Sequence, residues 1–146
     1  MWLYTWSNMS LTTTFADLCK SFAPDAFAIN YTLAKNPEIS SQEFESVKTI
    51  GAVLEKYGMD VTYEFCGLPT AFKASAVKVD NPQGRLAILC EYDALPEVGH
   101  ACGHSASGSM SVLAALTLHK MQEEGLLSTW TSILSAHQTK KRWVAR

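Results

Sequence analysis

Apolar and polar positions change period twice along this chain. From Leu11 to Lys35 the residues Phe15, Leu18, Phe22, Ile29 and Leu33 recur at helical spacing. Pro24 falls inside that run and predicts an interruption, because proline lacks an amide hydrogen and crowds the preceding turn. Asn36-Pro37 predicts the end of the helix. Ser40 followed by Glu43 has the spacing of a capping box for a second helix. Phe44, Val47, Ile50 and Leu54 then form its apolar stripe, and Gly58 is a natural stop. Strands are predicted over Asp60 to Phe65, Ala71 to Val79 and Arg85 to Cys90. The turn chemistry of Asp80-Asn81-Pro82-Gln83-Gly84 predicts a hairpin from the last two. Leu86 to Cys90 is continuously apolar, which predicts a central strand covered on both faces. Met110, Leu113, Leu116 and Met121 mark a helix between His104 and Gly125, and Thr129 to Leu134 reads as the next strand. Strand, helix and strand make a right-handed βαβ crossover. Sites in open α/β sheets gather beyond the carboxyl ends of the strands. Glu91, Asp93, Cys102 and His104 all lie there, between the apolar strand and its crossover helix.

Composition narrows the class. The chain has 146 residues, 47% hydrophobic and 18% charged, enough for one soluble domain with a core. A net charge of -2 gives no electrostatic reason to expect nucleic acid or an anionic membrane as partner. No apolar run is long enough to span a bilayer. Residues 1–10 lack the basic start of a signal peptide and read as a disordered leader, with insertion of Trp2 and Trp6 into a membrane interface as the alternative. Cys19, Cys66, Cys90 and Cys102 are irregularly spaced and do not form a secreted disulfide framework, so a reducing, cytoplasmic location is expected.

The chemistry concentrates in Glu91-Tyr92-Asp93 and His100-Ala101-Cys102-Gly103-His104. A thiolate and an imidazole suit zinc, cobalt or manganese at a hydrolytic site. Gly103 lets the backbone bend so that Cys102 and His104 can aim at one point. A cation there would polarise a carbonyl and acidify water. Cys-x-His alone is common by chance. Cys102 could instead be a nucleophile paired with a histidine, and the carboxylates could cap the helix or face solvent. Elsewhere plain readings are expected: Cys19, Cys66 and Cys90 as small core residues, His119 on a helix surface, Glu123 and Glu124 at a solvated helix end.

Four motifs occur in order: Asn36-Pro37-Glu38-Ile39-Ser40, Gly67-Leu68-Pro69-Thr70-Ala71-Phe72, Glu91-Tyr92-Asp93-Ala94-Leu95-Pro96 and Gly99-His100-Ala101-Cys102-Gly103-His104. Together they resemble the zinc-exopeptidase-type amidohydrolases of the aminoacylase/carboxypeptidase superfamily, most closely aminobenzoyl-glutamate hydrolases and β-alanyl dipeptidases. The resemblance covers roughly Ala16 to Leu127. It implies an α/β fold, the N-terminal part of a zinc-exopeptidase catalytic domain of aminopeptidase/phosphorylase-like type. A mixed sheet with flanking helices is implied, truncated relative to the whole domain. Cys102 and His104 then correspond to metal ligands, Asp93 to an aspartate that orients a site residue, and Glu91 to a polar site residue. Ser105 stands where relatives usually carry Asp or Asn, which alters support for His104. The implied substrate is a small amide or dipeptide. The implied cofactor is a divalent metal, zinc first, with manganese or cobalt as alternatives. Full-length relatives are expected to be homo-oligomers.

The family continues with a strand ending in a Gly-Thr-Pro-Ala-Glu-Glu-like segment and later histidines. This chain instead ends Ser135-Ala136-His137-Gln138-Thr139-Lys140-Lys141-Arg142-Trp143-Val144-Ala145-Arg146. Read one base earlier, codons for these residues permit Gly-Thr-Pro-Asp-Glu-Glu, two variable residues, then Gly-Gly-Lys. Some of those bases are chosen rather than forced, which leaves coincidence as the alternative to a frameshift or misplaced splice junction near Ser135. The expected organisation is a leader over 1–10, a partial catalytic domain over 11–135 and an aberrant tail over 136–146. The expected function is metal-dependent amide hydrolysis by family, with this chain alone inactive. The alternative is a non-catalytic module that binds metal weakly or serves interaction.

Overall fold

A computed structural model describes residues 4–136, with side chains from residue 11 onward. The order is α1 (Tyr4–Lys35), α2 (Phe44–Lys56), β1 (Asp60–Tyr63), β2 (Phe72–Ser75), β3 (Gly84–Leu89), α3 (His104–Glu123) and β4 (Trp130–Ala136). Short 3-10 turns occupy Phe65–Gly67 and His100–Cys102. The four strands form one mixed sheet in the order β1-β2-β4-β3. β1 and β4 each pair antiparallel to β2, and β3 lies parallel to β4.

The helices form because their apolar positions share a face. Phe22, Ile29 and Leu33 of α1, Val47, Ile50 and Leu54 of α2, and Val112, Ala115 and Leu116 of α3 meet Phe72, Ala74, Leu134 and Ala136 of the sheet in one continuous core. Each such large side chain, fully buried, stabilises the fold by roughly 1.5–3 kcal/mol. The expected βαβ unit is present: β3 leads through α3 into β4, with Ala87 opposite Ile133 and Ile88 opposite Leu134.

Several expectations need correction. α1 runs unbroken through Pro24 and begins at Tyr4, within the stretch read as a leader. Pro24 and Lys20, whose carbonyl loses its helical partner, both lie on the exposed side of α1, where water can replace the bond. Ser40 and Glu43 do not form a capping box, because α2 starts one residue after Glu43 and has no side-chain cap from it. The Glu38 carboxylate caps α2 instead, accepting the backbone N–H groups of Glu45 (3.1 Å) and Ser46 (2.7 Å). No β2–β3 hairpin forms, since β4 lies between the two strands. β3 is a sheet edge among the described residues, and Leu86 and Leu89 are exposed rather than covered. An apolar run reports only that a strand can be buried on both faces, not where it sits in the sheet. His119 is buried rather than on a helix surface, and Cys66 is exposed while Cys90 is in the core. The shifted-frame reading of the tail concerns residues 136–146, of which 137–146 lie outside the described residues.

Candidate metal centre

The site begins where β3 ends. From Cys90 to Ala94 burial alternates: Cys90, Tyr92 and Ala94 are buried, while Glu91 is exposed and Asp93 half-buried. In an extended chain successive side chains point to opposite sides. One side of this segment therefore enters the core and the other presents two carboxylates to the α3 N-terminus. The chain then turns through Leu95–Gly99 and the 3-10 turn to Gly103, whose φ of 85° suits glycine and delivers His104 as the first residue of α3.

Asp93 is the hub. His104 Nδ1 lies 2.7 Å from Asp93 Oδ1 and 3.0 Å from the Asp93 carbonyl oxygen. Both oxygens are acceptors, so Nδ1 carries a hydrogen, and Nε2 is the ring nitrogen left for another partner. Nε2 faces Glu91 Oε2 at 3.5 Å, beyond a good hydrogen bond. The exposed Cys102 thiol points to the same Asp93 carbonyl at 3.9 Å. His100 opens the 3-10 turn with its ring nitrogens buried. Neither of its ring nitrogens has a well-formed hydrogen bond. Burial, followed by the neighbouring His104 imidazole, lowers its pKa and favours the neutral ring.

The residue types fit a divalent cation. A carboxylate on Nδ1 with Nε2 free is the usual arrangement of a metal-ligating histidine, and the thiol beside it is a soft donor. The number of donors is small. Among the described residues no three His, Cys, Asp or Glu side chains converge closely enough to hold an ion. A larger cleft of about 440 Å³ between α1 and α2 is lined by Thr32, Asn36, Glu38 and Glu45. Its carboxylates are already engaged, Glu38 with the α2 amides and Glu45 with Lys48.

No family model matches the chain. The Xaa-Arg dipeptidase of Mus musculus is 48% identical over 61 residues, which are 39% of this chain and 14% of that protein. A p-aminobenzoyl-glutamate hydrolase chain of Escherichia coli (strain K12) is 32% identical over 108 residues, 61% of this chain and 21% of that protein. Among solved structures, a dinuclear metal-binding peptidase of the M20 family from Bacillus subtilis superposes with a TM-score of 0.68 at 25% identity, covering 82% of this chain and 36% of that one. The chain is thus similar to part of several M20-type hydrolases. It covers well under two thirds of each of these relatives. The M20 fold expectation, a mixed sheet with flanking helices, agrees with both the architecture and the superposition.

The sequence motifs single out Glu91, Asp93, Cys102 and His104, and the structure brings all four around one carbonyl and one imidazole. Reading the sequence misses what holds them there. Tyr92 donates its hydroxyl to the carbonyl oxygen of Thr70, and Thr70 Oγ1 donates to the buried Glu43 carboxylate at 2.5 Å. Part of the signal is available: Tyr92 and Thr70 fall in two of the four motifs, and Glu43 lies three residues after a third.

Proposed function

We propose that this chain carries part of the metal centre of an enzyme that hydrolyses an amide bond in small N-acyl amino acids or dipeptides. The observation that carries the reading is the Asp93–His104 pair. A carboxylate and a carbonyl fix the hydrogen on Nδ1 and direct a free Nε2 outward, beside the Cys102 thiol. Cys102 and His104 would hold a divalent cation, with zinc as the first choice and manganese or cobalt as alternatives. When bound, the cation would supply Lewis acidity toward the amide carbonyl and toward water.

The chain's own residues have separate tasks. Asp93 orients His104 and raises its basicity as a ligand. Glu91, exposed beside Nε2, is placed to accept a hydrogen bond from a substrate amine or from water. Its position at the carboxyl end of β3 lets a substrate approach from solvent. A reducing compartment such as the cytoplasm suits a thiolate ligand. The name of the mouse relative makes Xaa-Arg dipeptides the first substrates to try.

A second reading is favoured by the donor count. With no three-donor cluster among the described residues, this chain alone would bind metal weakly and turn over no substrate at an enzyme's rate. Cobalt titration of the full chain and of Cys102→Ala and His104→Ala tests the metal reading. The thiolate-to-cobalt absorption band should appear in the parent and disappear in Cys102→Ala. Full metal retention by both variants would overturn the assignment. Turnover of N-acyl amino acids or Xaa-Arg dipeptides, compared between this chain and one with the shifted frame restored near Ser135, separates the two functional readings. An equal rate in both would sink the second.

A further inference from the structure

We propose that Tyr92 is a positioning residue, whose hydrogen-bonded latch to Thr70 and Glu43 sets the register that aims Asp93 at His104. The inference rests on the metal-centre reading above for its functional meaning, but not for its geometry.

Strand pairing reaches the segment Cys90–Ala94 only at its ends: Cys90 N–H donates to the Ser135 carbonyl at 3.0 Å just past β3, and a bridge from Ile39 holds Ala94. Between these ends the alternation needs a further source of register. A slip of one residue in an extended segment exchanges the two sides completely. Here it would turn Glu91 and Asp93 into the core and Tyr92 into the site. Beside the Cys90–Ser135 backbone bond, three contacts oppose that slip. Cys90 is 3% exposed and its thiol donates to the Gly108 carbonyl at 3.6 Å. Ala94 N–H donates to the Glu38 carbonyl at 2.7 Å. Between them Tyr92, 5% exposed, stacks on Phe72 with ring centroids 5.9 Å apart and donates its hydroxyl to the Thr70 carbonyl.

The Tyr92 contact differs from the other two in kind. Cys90 and Ala94 are small and would tolerate sliding, whereas a phenol has one length and one donor. The acceptor is itself fixed, because Thr70 is fully buried and its hydroxyl is committed to Glu43, 3% exposed at the start of α2. Burial pushes the Tyr92 phenol well above its ordinary pKa, so the donor keeps its proton throughout the working range. The latch thus ties the site segment to one other motif and to the start of α2, and places Asp93, one residue on, against Nδ1 of His104.

The test uses the full chain without metal and reads the ring nitrogens of His104 by NMR at about pH 8, where an ordinary imidazole is neutral. The wild type should hold His104 mainly as the Nδ1–H tautomer. Tyr92→Phe keeps the ring stack and removes only the hydroxyl. It should lower the ratio of Nδ1–H to Nε2–H by about fivefold, the population change set by one ordinary hydrogen bond. Leu54→Val, which loosens the same core elsewhere, should leave the ratio unchanged. An unchanged ratio in Tyr92→Phe, or an equal fall in Leu54→Val, overturns the proposal. If Tyr92→Phe does not fold, Thr70→Val should lower the ratio and Thr70→Ser restore it, and equal ratios in that pair overturn it. Cobalt titration of the same proteins separates the two claims. A wild type that binds no cobalt while the tautomer ratio still responds to Tyr92→Phe leaves the latch standing and removes the metal reading. If cobalt binds, Tyr92→Phe should weaken it by about tenfold, as loss of support for a ligand does.

Discussion

The two halves of the candidate site are held in opposite ways. The Cys90–Ala94 half is clamped from several directions: by Tyr92 on Thr70, by Cys90 against α3, and by the bridge from Ile39 to Ala94. The His100–Gly103 half is a 3-10 turn whose Ala101, Cys102 and Gly103 are all exposed. The carboxylate and imidazole are thus preorganised, while the thiol has room to move. A site built this way fixes the orientation of one ligand and leaves the other to adapt to the size of the cation. Preorganised ligands cost no rearrangement on binding, and adaptable ones widen the range of ions accepted.

The largest expected effect comes from breaking the rigid half at its end. His104→Ala removes the nitrogen donor that Asp93 orients, and cobalt affinity should fall by more than about 100-fold, beyond what losing an outer partner causes. Cys102→Ala, on the mobile half, should cost less, about tenfold or more. Isothermal titration with cobalt measures both. If Cys102→Ala proves the more damaging, the thiol is the organised ligand and the comparison is inverted.

The next effect is on stability. A Cβ added at Gly108 would collide with the Glu91 carbonyl oxygen and lie 3.7 Å from Cys90 Sγ. The first neighbour is backbone and cannot rotate away. Gly108→Ala should therefore push the Cys90–Ala94 segment off α3 and cost about 1–3 kcal/mol, as overpacking does. Denaturant unfolding checks this. An unchanged midpoint would mean that the clamped half is looser than its contacts imply.

Much of this architecture is legible in the order of residues alone. Leu86 to Cys90, the helix from His104 and the strand from Thr129 announce the βαβ unit, because hydrophobic period and length are local properties of the chain. The site residues are legible for the same reason, lying in short motifs at the strand end. What escapes is non-local. Turn chemistry at Asp80–Gly84 permits a hairpin, but strand order depends on β4, which arrives some forty residues later and pairs with both neighbours. His119 reads as a surface residue if α3 buries one stripe. In fact α3 packs against α1 and the sheet and carries buried residues over much of its circumference. The cap on α2 comes from Glu38, outside the expected spacing, because the chain folds back there to meet Ala94.

A smaller effect is expected at the hinge of the open half. Gly103 has φ of 85° and nothing within 4 Å of an added Cβ. Gly103→Ala therefore meets no clash, only the intrinsic strain of an L-residue in the left-handed region, about 1–2 kcal/mol. Because the turn is exposed, part of that strain should relax by local rearrangement, and the measured loss should sit near the lower end. Cobalt affinity should change more than the unfolding midpoint does, since this hinge sets the separation of Cys102 and His104. Equal proportional losses in both would show that the turn belongs to the rigid half.

The last effect appears only in alkali, and its sign follows from burial. Cys90 lies in the core, and burial, with a smaller contribution from the Glu91 carboxylate, pushes its thiol up to about 12 from an ordinary 9.0. The folded chain thus holds this proton more tightly than the unfolded chain does. The stabilisation is fully present below about pH 9 and is lost as the pH rises toward 12. Below that window Cys90 should resist alkylation by iodoacetamide, while the exposed Cys66 and Cys102 are modified. Above it Cys90 should become reactive as the fold weakens, and Cys90→Ala should show a shallower loss of stability from pH 9 to pH 12. Mass spectrometry of alkylated chains and denaturant midpoints across that range provide the measurements. Modification of Cys90 at neutral pH, as fast as that of Cys102, would mean that the clamped half of the site opens as readily as the exposed one.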